Sequence, residues 1–396
     1  MRFIDSDVVV VGAGPAGCLA AKTAASKGVH VILLEEHTEI GAPVHCAEGI
    51  SLNGIRAAGL EPIKPIVSQE LPRAKVFAPN RSYVNLKSPS ETGYTLNRDV
   101  FDKALGDRAV KAGAELLTST KAMNVLKDNG KIVGVRAEQK GEPLEIRAKV
   151  VVGADGCSSI IRRSAGLSRW YSDVGICVQY QLGGLHLDDP EMAELYIGSN
   201  YAPGGYAWVF PKSGEVANVG LGVRRIHSEP AIEYLKRFID SDPRFKNAKV
   251  LRKSGGITPV SGMLDKIVDD RLMLVGDAAG ELLPMSGAGI HSGVEAGKIA
   301  GIVAAEAIEE EDLSAKRLSV YRKSFEDDWG KMIRDSRKVV EMIDKFSDDD
   351  LNTLAGVVDS EDIFNLVNGT DVKRTLAKIV KRSPGKILKL VAAYMR

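Results

Sequence analysis

The chain has 396 residues, 44% apolar and 27% charged, enough for two or three domains around a large core, which excludes a collagenous, mucin-like or largely disordered protein. With 53 Lys and Arg against 52 Asp and Glu, a net charge of +1 gives no reason to expect a nucleic-acid partner. No apolar run reaches the roughly 18 residues a bilayer crossing needs, and Asp5 and Asp7 stand where a signal peptide would be basic, so a cytoplasmic protein is expected.

An apolar strand, Val8 to Val11, runs into G-A-G-P-A-G, Gly12 to Gly17, and then into a segment of helical character. A second strand, Val29 to Leu34, ends in Glu35-Glu36. Strand, glycine loop, helix, strand and a terminal acid predict a dinucleotide-binding βαβ unit. Gly12 permits the tight turn, Gly14 the approach of backbone to a diphosphate, and Gly17 the close packing of helix on strand. Glu35 is placed to accept hydrogen bonds from an adenosine ribose. FAD and NAD both use such a unit, so the choice falls to later segments.

Thr95 to Asp102 carries Arg98 and Asp102 at i, i+4, the spacing of a helix ion pair. Val150 to Ser159 predicts a strand ending in a Gly-Ala-Asp-Gly turn, and Arg271 to Gly280 a strand ending in Gly276-Asp277. Asp277 at a strand's carboxyl end suits ribityl or ribose hydroxyls. In the glycine loop Pro284 to Gly293, Gly287 and Gly289 let main-chain N–H groups approach a bound ring and diphosphate, and a long helix follows from 294 to 310. Between 167 and 260, short alternating runs separated by Gly, Pro, Asn and Ser predict an antiparallel sheet. Within it Tyr206, Trp208 and Phe210 alternate along one strand and face one side, as core or as pocket wall. The four cysteines, Cys18, Cys46, Cys157 and Cys177, include no C-x-x-C pair, which argues against a disulfide framework or a zinc site. From Lys373 onward there are eight basic residues and no acidic one. There Leu376, Ile379 and Val380 share a helical face flanked by Lys373, Lys378, Lys381 and Arg382, which fits either a helix packed on the body or one resting on an anionic membrane.

Together the N-terminal glycine motif, R-x-x-x-D, the Asp-Gly turn and the Gly-Asp turn resemble those of FAD enzymes with the para-hydroxybenzoate hydroxylase-like fold. Within that class G-A-P-V-H-C-A-E-G-I-S (Gly41 to Ser51), Y-A-W-V-F-P followed by Gly220-x-Gly222, and P-M-S-G-A-G-I-H-S-G resemble the geranylgeranyl reductases, specifically the archaeal digeranylgeranylglycerophospholipid reductases. The resemblance covers residues 1 to about 340. It implies an α/β protein with a discontinuous Rossmann-type FAD domain (1–63, 90–166 and 261–340), an inserted antiparallel substrate domain (64–89 and 167–260) and a helical C-terminal region (341–396).

The resemblance also implies FAD contacts at Gly12, Gly14, Ala16, Gly17, Glu35 and Glu36, at Cys46, Ala47 and Gly49, at Arg98 and Ala122, and at Asp277, Gly289 and Ile290. Cys46 becomes the candidate catalytic residue, against the plainer reading of a small buried side chain, and His45 beside it a loop side chain with no evident partner. Tyr206, Trp208 and Phe210 would line an apolar tunnel for a prenylated glycerophospholipid. No second dinucleotide unit is evident, so electrons would come from transiently docked NAD(P)H or from a ferredoxin-like carrier, with the enzyme peripheral to the cytoplasmic membrane face. The rival readings are an FAD-dependent aromatic monooxygenase of the same fold and a non-catalytic prenyl-lipid carrier resembling the Rab GDP-dissociation inhibitors. The intact glycine set and Gly276-Asp277 weigh against the carrier.

Overall fold

The structure is a computed structural model that describes residues 2–88, 92–168, 170–224, 229–383, 385 and 391. Its first sheet has eight strands. The four-valine run is the buried half of a longer strand, Arg2–Val11, whose partners are Glu142–Gly153 and Val31–Leu34, both parallel. Glu115–Leu117 extends the sheet beyond Val31–Leu34. The far edge of the long strand Glu142–Gly153 is shared. Its first half pairs antiparallel with Lys131–Gln139, and its last three residues pair parallel with Leu272–Leu274. The glycine-rich turns after Val11, Gly153 and Leu274 therefore open at one end of the sheet.

Helix Pro15–Ser26 and helix Ile290–Glu309 lie against each other. A Cβ on Gly297 would sit 2.1 Å from the Ala16 carbonyl oxygen, and one on Gly301 would sit 2.5 Å from that of Ala20. The contacts advance together along both helices, so the two run parallel and present their N-termini at the same end. This glycine stripe, spaced by fours, is why the backbones approach so closely. The second helix begins at Ile290, four residues before the sequence suggested, because its first turn is built from the glycine loop itself.

The second sheet has seven strands in the order Lys249–Pro259, Val174–Gly183, Val216–Arg224, Tyr206–Pro211, Met192–Ile197, Arg73–Phe77 and Tyr83–Leu86. It is antiparallel except where Met192–Ile197 meets Arg73–Phe77. Strand Val67–Leu71 joins Gly93–Leu96 and Gly49–Ser51 in a separate three-stranded sheet. One face of the large sheet, with Ala207, Val209, Val219 and Leu221, packs on helix Ala231–Asp240 through Leu235 and Phe238. By strand alternation the opposite face carries Cys177, Gln179, Gly220, Gly222, Tyr206, Trp208 and Phe210.

The C-terminal region is helical, with a Ser347–Asp350 capping box opening helix Asp348–Ala355. Helix Val372–Arg382 is packed on the body. Leu376 and Ile379 are buried in a cluster with Val339, Met342 and Leu366, while Lys378 and Arg382 pair with Asp359 and Asp362. Its apolar face is thus occupied, which removes it as a membrane-facing surface. The last basic stretch, residues 386–396, lies outside the described residues apart from Val391, which is buried in the same cluster. Among the described residues no helix is long and apolar enough to cross a membrane.

Candidate active site

Gly12 has φ +99°, and a Cβ there would stand 2.5 Å from the Ala154 carbonyl oxygen. The Gly-Ala-Asp-Gly turn therefore backs the nucleotide loop directly. Asp155 is spent locally, accepting from Ser159 Oγ and from the backbone N–H groups of Ile160 and Ile161. A Cβ on Gly17 would meet the Gly12 oxygen at 1.9 Å, so only glycine permits this loop-to-helix approach. Gly14 differs, since a Cβ there would meet nothing within 4 Å. The loop is open where the residue is not required by packing. Gly14 caps helix Pro15–Ser26 and Gly289 caps helix Ile290–Glu309, neither helix having a side-chain cap or an acid in its first turn. Two helix N-termini are thus left with free N–H groups and partial positive charge at one end of the fold.

Glu35 is nearly buried at the end of its strand. Its carboxylate accepts from Ala13 N at 3.1 Å, from His37 N at 2.9 Å and pairs with His37 Nδ1 at 2.7 Å. Glu36 points outward near Lys121. Ala122 is buried in strand Thr120–Asp128, whose first residue donates to the Glu35 carbonyl. Ala16 packs beneath Gly276 and Gly297. Asp277 follows Gly276, with Oδ1 3.1 Å from where a Gly289 Cβ would be. Burial pushes its carboxyl up to about 6, opposed by Arg98. Arg98 clamps Asp102 through Nε–Oδ1 at 2.9 Å and Nη2–Oδ2 at 2.7 Å, both side chains largely buried. The pair is therefore not a surface helix pair. An open glycine loop, two uncapped helix N-termini, a carboxylate at a strand's end and a half-buried aspartate fit a dinucleotide with a diphosphate and two polyol segments.

The cysteine loop is pinned at successive residues. His45 Nδ1 bonds to the Gly255 carbonyl at 2.8 Å, the partner that the sequence did not reveal. The Cys46 carbonyl accepts from Gln179 Nε2 at 3.0 Å and the Ala47 carbonyl from Asn218 Nδ2 at 3.2 Å. Cys46 Sγ accepts from Glu48 N at 3.2 Å. The other thiols have different surroundings. Cys18 is buried and donates to Ala13 O, burial pushes Cys157 up to about 12, and burial also raises Cys177, whose sulfur lies 3.8 Å from Thr258 Oγ1.

The aromatic strip lies against this loop. Trp208 Nε1 donates to Gln179 Oε1 at 2.8 Å, so one amide links the indole to the Cys46 carbonyl. Tyr206 OH donates to Ser286 O in the glycine loop, and a Cβ on Gly49 would stand 3.0 Å from the Phe210 ring. Gly220 lies opposite Trp208, where a Cβ would meet the indole at 2.6 Å. The G-x-G spacing makes room for the indole. Trp208 itself is buried, with Tyr206 and Phe210 half-buried on either side.

Sequence reasoning passed over Glu48, Gln179, Lys212, Asn218 and Arg252. Glu48 is fully buried, and its carboxylate meets Lys212 Nζ at 2.8 Å, Asn218 Nδ2 at 2.6 Å, Arg252 Nη2 at 3.2 Å and Arg98 N at 3.0 Å. The only signal was an acid inside the cysteine loop and a lysine directly after Y-A-W-V-F-P.

A family model of the FAD-dependent oxidoreductases matches residues 7–181, and one of the geranylgeranyl reductase catalytic domain matches residues 173–258. Digeranylgeranylglycerophospholipid reductase 2 of Methanopyrus kandleri is 40% identical over 99% of this chain and 100% of its own, and the corresponding reductase of Methanothrix thermoacetophila is 40% identical over 97% and 98%. The crystal structure of a geranylgeranyl bacteriochlorophyll reductase-like protein from Thermoplasma acidophilum superposes with a TM-score of 0.90 at 33% identity, covering 99% of this chain and 100% of that one. A flavin-dependent brominase, Bmp2, shares the fold alone, with a TM-score of 0.73 at 19% identity over 99% of this chain and 97% of its own. The chain belongs to the digeranylgeranylglycerophospholipid reductase family and is an FAD-dependent oxidoreductase.

Proposed function

We propose that this enzyme reduces the C=C bonds of geranylgeranyl chains carried on a glycerophospholipid, at the junction of the cysteine loop, the glycine loop and the aromatic strip. The observation that carries this is the hydrogen-bonded series Trp208–Gln179–Cys46 together with Tyr206–Ser286, which joins the sheet's aromatic face to both loops. FAD, once bound and reduced, supplies the hydride for one alkene carbon. Gly12, Gly14 and the N-termini at Pro15 and Ile290 would hold its diphosphate and neighbouring groups, Glu35 its ribose and Asp277 its ribityl hydroxyls. Ala16, Gly17, Ala47, Gly49, Gly289, Ala122, Arg98 and Glu36 would complete the lining of its site.

An isolated prenyl double bond is electron-rich, so the second carbon needs a positioned acid. Cys46 fills that role. Its S–H bond breaks as a C–H bond forms, and the sulfur left behind accepts the hydrogen bond of the Glu48 N–H. Solvent protons then restore the thiol. Tyr206, Trp208 and Phe210 supply apolar surface along which the chain lies, excluding water from the reacting carbons. The electrons come from docked NAD(P)H or a ferredoxin-like carrier. Because the substrate is a membrane lipid, the enzyme works against the cytoplasmic membrane face, with residues 386–396 as the basic segment to test by liposome flotation.

Anaerobic incubation of the dithionite-reduced enzyme with the unsaturated lipid tests the reaction, with a gain of about two mass units per reduced bond expected. Unchanged lipid, combined with oxygen-dependent hydroxylation of a phenol, would establish the monooxygenase reading instead. Cys46→Ala is expected to keep its FAD and lose most reduction.

A further inference from the structure

We propose that Glu48 is a positioning residue that holds the Cys46 thiol under the Glu48 backbone N–H, an inference that rests on Cys46 as the proton donor. Glu48 has φ +72°, a left-handed conformation that is strained for a non-glycine residue and persists only where the surroundings fix it. They do so from two sides. Lys212, Asn218 and Arg252 reach its carboxylate from the large sheet, while Arg98 N donates to Oε1 from the start of helix Arg98–Lys111. Its carbonyl accepts from Leu96 N at 2.8 Å, and its own N–H donates to Cys46 Sγ. One side chain therefore fastens the substrate sheet, the Arg98 junction and the sulfur's environment in a single geometry.

Glu48 is not itself the acid. Burial alone would push its carboxyl up, but the ammonium of Lys212, the Arg98 N–H and the Asn218 amide hold it below the usual glutamate range. It remains ionised at neutral pH and has no proton to give. Removing the negative charge leaves Lys212, whose side chain is 11% exposed, facing Arg252 without a counter-ion. The loop can then relax, withdrawing the Glu48 N–H from the sulfur.

The test is the rate at which iodoacetamide alkylates Cys46 in the holoenzyme, resolved by peptide mass spectrometry so that Cys18, Cys157 and Cys177 do not contribute. In Glu48→Gln, with FAD content retained, the rate is expected to change about tenfold, because the loop that fixes the exposure of the sulfur and its contact with the Glu48 N–H relaxes. Reduction should slow while the KM for lipid stays near its wild-type value. Asn218→Ala, which removes one anchor and leaves the salt bridges, should show the same effect in smaller degree, and it decides the matter if Glu48→Gln does not fold. Alkylation at the wild-type rate in a folded variant would overturn the proposal. This readout does not depend on turnover. Should Cys46→Ala prove fully active, the proton-donor reading would fall while the alkylation result still reported on what Glu48 does to the sulfur.

Discussion

Gly14→Ala separates cofactor binding from folding. Gly14 has φ −70° and ψ 179°, a conformation open to any L-residue, and a Cβ there would meet nothing within 4 Å. Two small effects on stability oppose each other. Alanine is a poorer N-cap than glycine, by about 0.5–1 kcal/mol, and restricting the unfolded chain returns about 0.4–1 kcal/mol. The unfolding midpoint in urea should therefore barely move. Flavin affinity should fall sharply, because the methyl group fills the space through which a phosphate reaches the helix N-terminus. Losing one charge-assisted hydrogen bond is worth about 1.5–3 kcal/mol, which corresponds to a dissociation constant about 10- to 150-fold higher. Quenching of flavin fluorescence by the apoprotein measures the constant. A Gly14→Ala protein that bound FAD as tightly as wild type would refute the placement of the diphosphate at this loop.

Three further predictions concern other parts of the fold. Gly297→Ala places a methyl 2.1 Å from the Ala16 carbonyl oxygen, so the two helices must separate; a loss of about 1–3 kcal/mol in urea unfolding is expected, and an unchanged midpoint would show that the close approach is unimportant. Trp208→Phe leaves the buried Gln179 oxygen without its indole donor, which should cost about 1–3 kcal/mol and slow reduction more than it weakens FAD binding, as kinetics and flavin titration would reveal. Glu281 is fully buried, accepts from Gly276 N at 2.7 Å and from Tyr321 OH, and burial lifts its carboxyl from 4.5 to about 8, partly opposed by those two donors. Its raised value means that its contribution is complete below pH 4.5 and lost as pH rises through about 8. Glu281→Gln, which mimics the neutral acid, should flatten the decline of Tm across that window, and an identical slope in both proteins would contradict the assignment.

The nucleotide loop was legible because its glycines answer local demands. Gly12 and Gly17 are required by contacts with Ala154 and with each other, and the spacing encodes both. The aromatic strip was legible as an alternation, but the choice between core and wall was not. That choice depended on register, which puts Gly220 under Trp208, and on Gln179, 29 residues away in sequence. Glu48 was invisible for the same reason. Its carboxylate partners lie 50 to 204 residues distant, and no periodicity links them. In the C-terminal helix, spacing identified the apolar face of Leu376 and Ile379 correctly, yet what covers it is set by Val339, Met342 and Leu366 on earlier helices. An amphipathic pattern specifies a face to be covered and leaves its partner open.

The most direct measurement of the central claim is anaerobic stopped-flow mixing of the reduced holoenzyme with the unsaturated lipid, followed through the flavin's yellow absorbance. The account predicts that the colour returns without oxygen, at a rate that rises with lipid concentration and falls sharply in Cys46→Ala. A flavin that stayed reduced until air was admitted would contradict it.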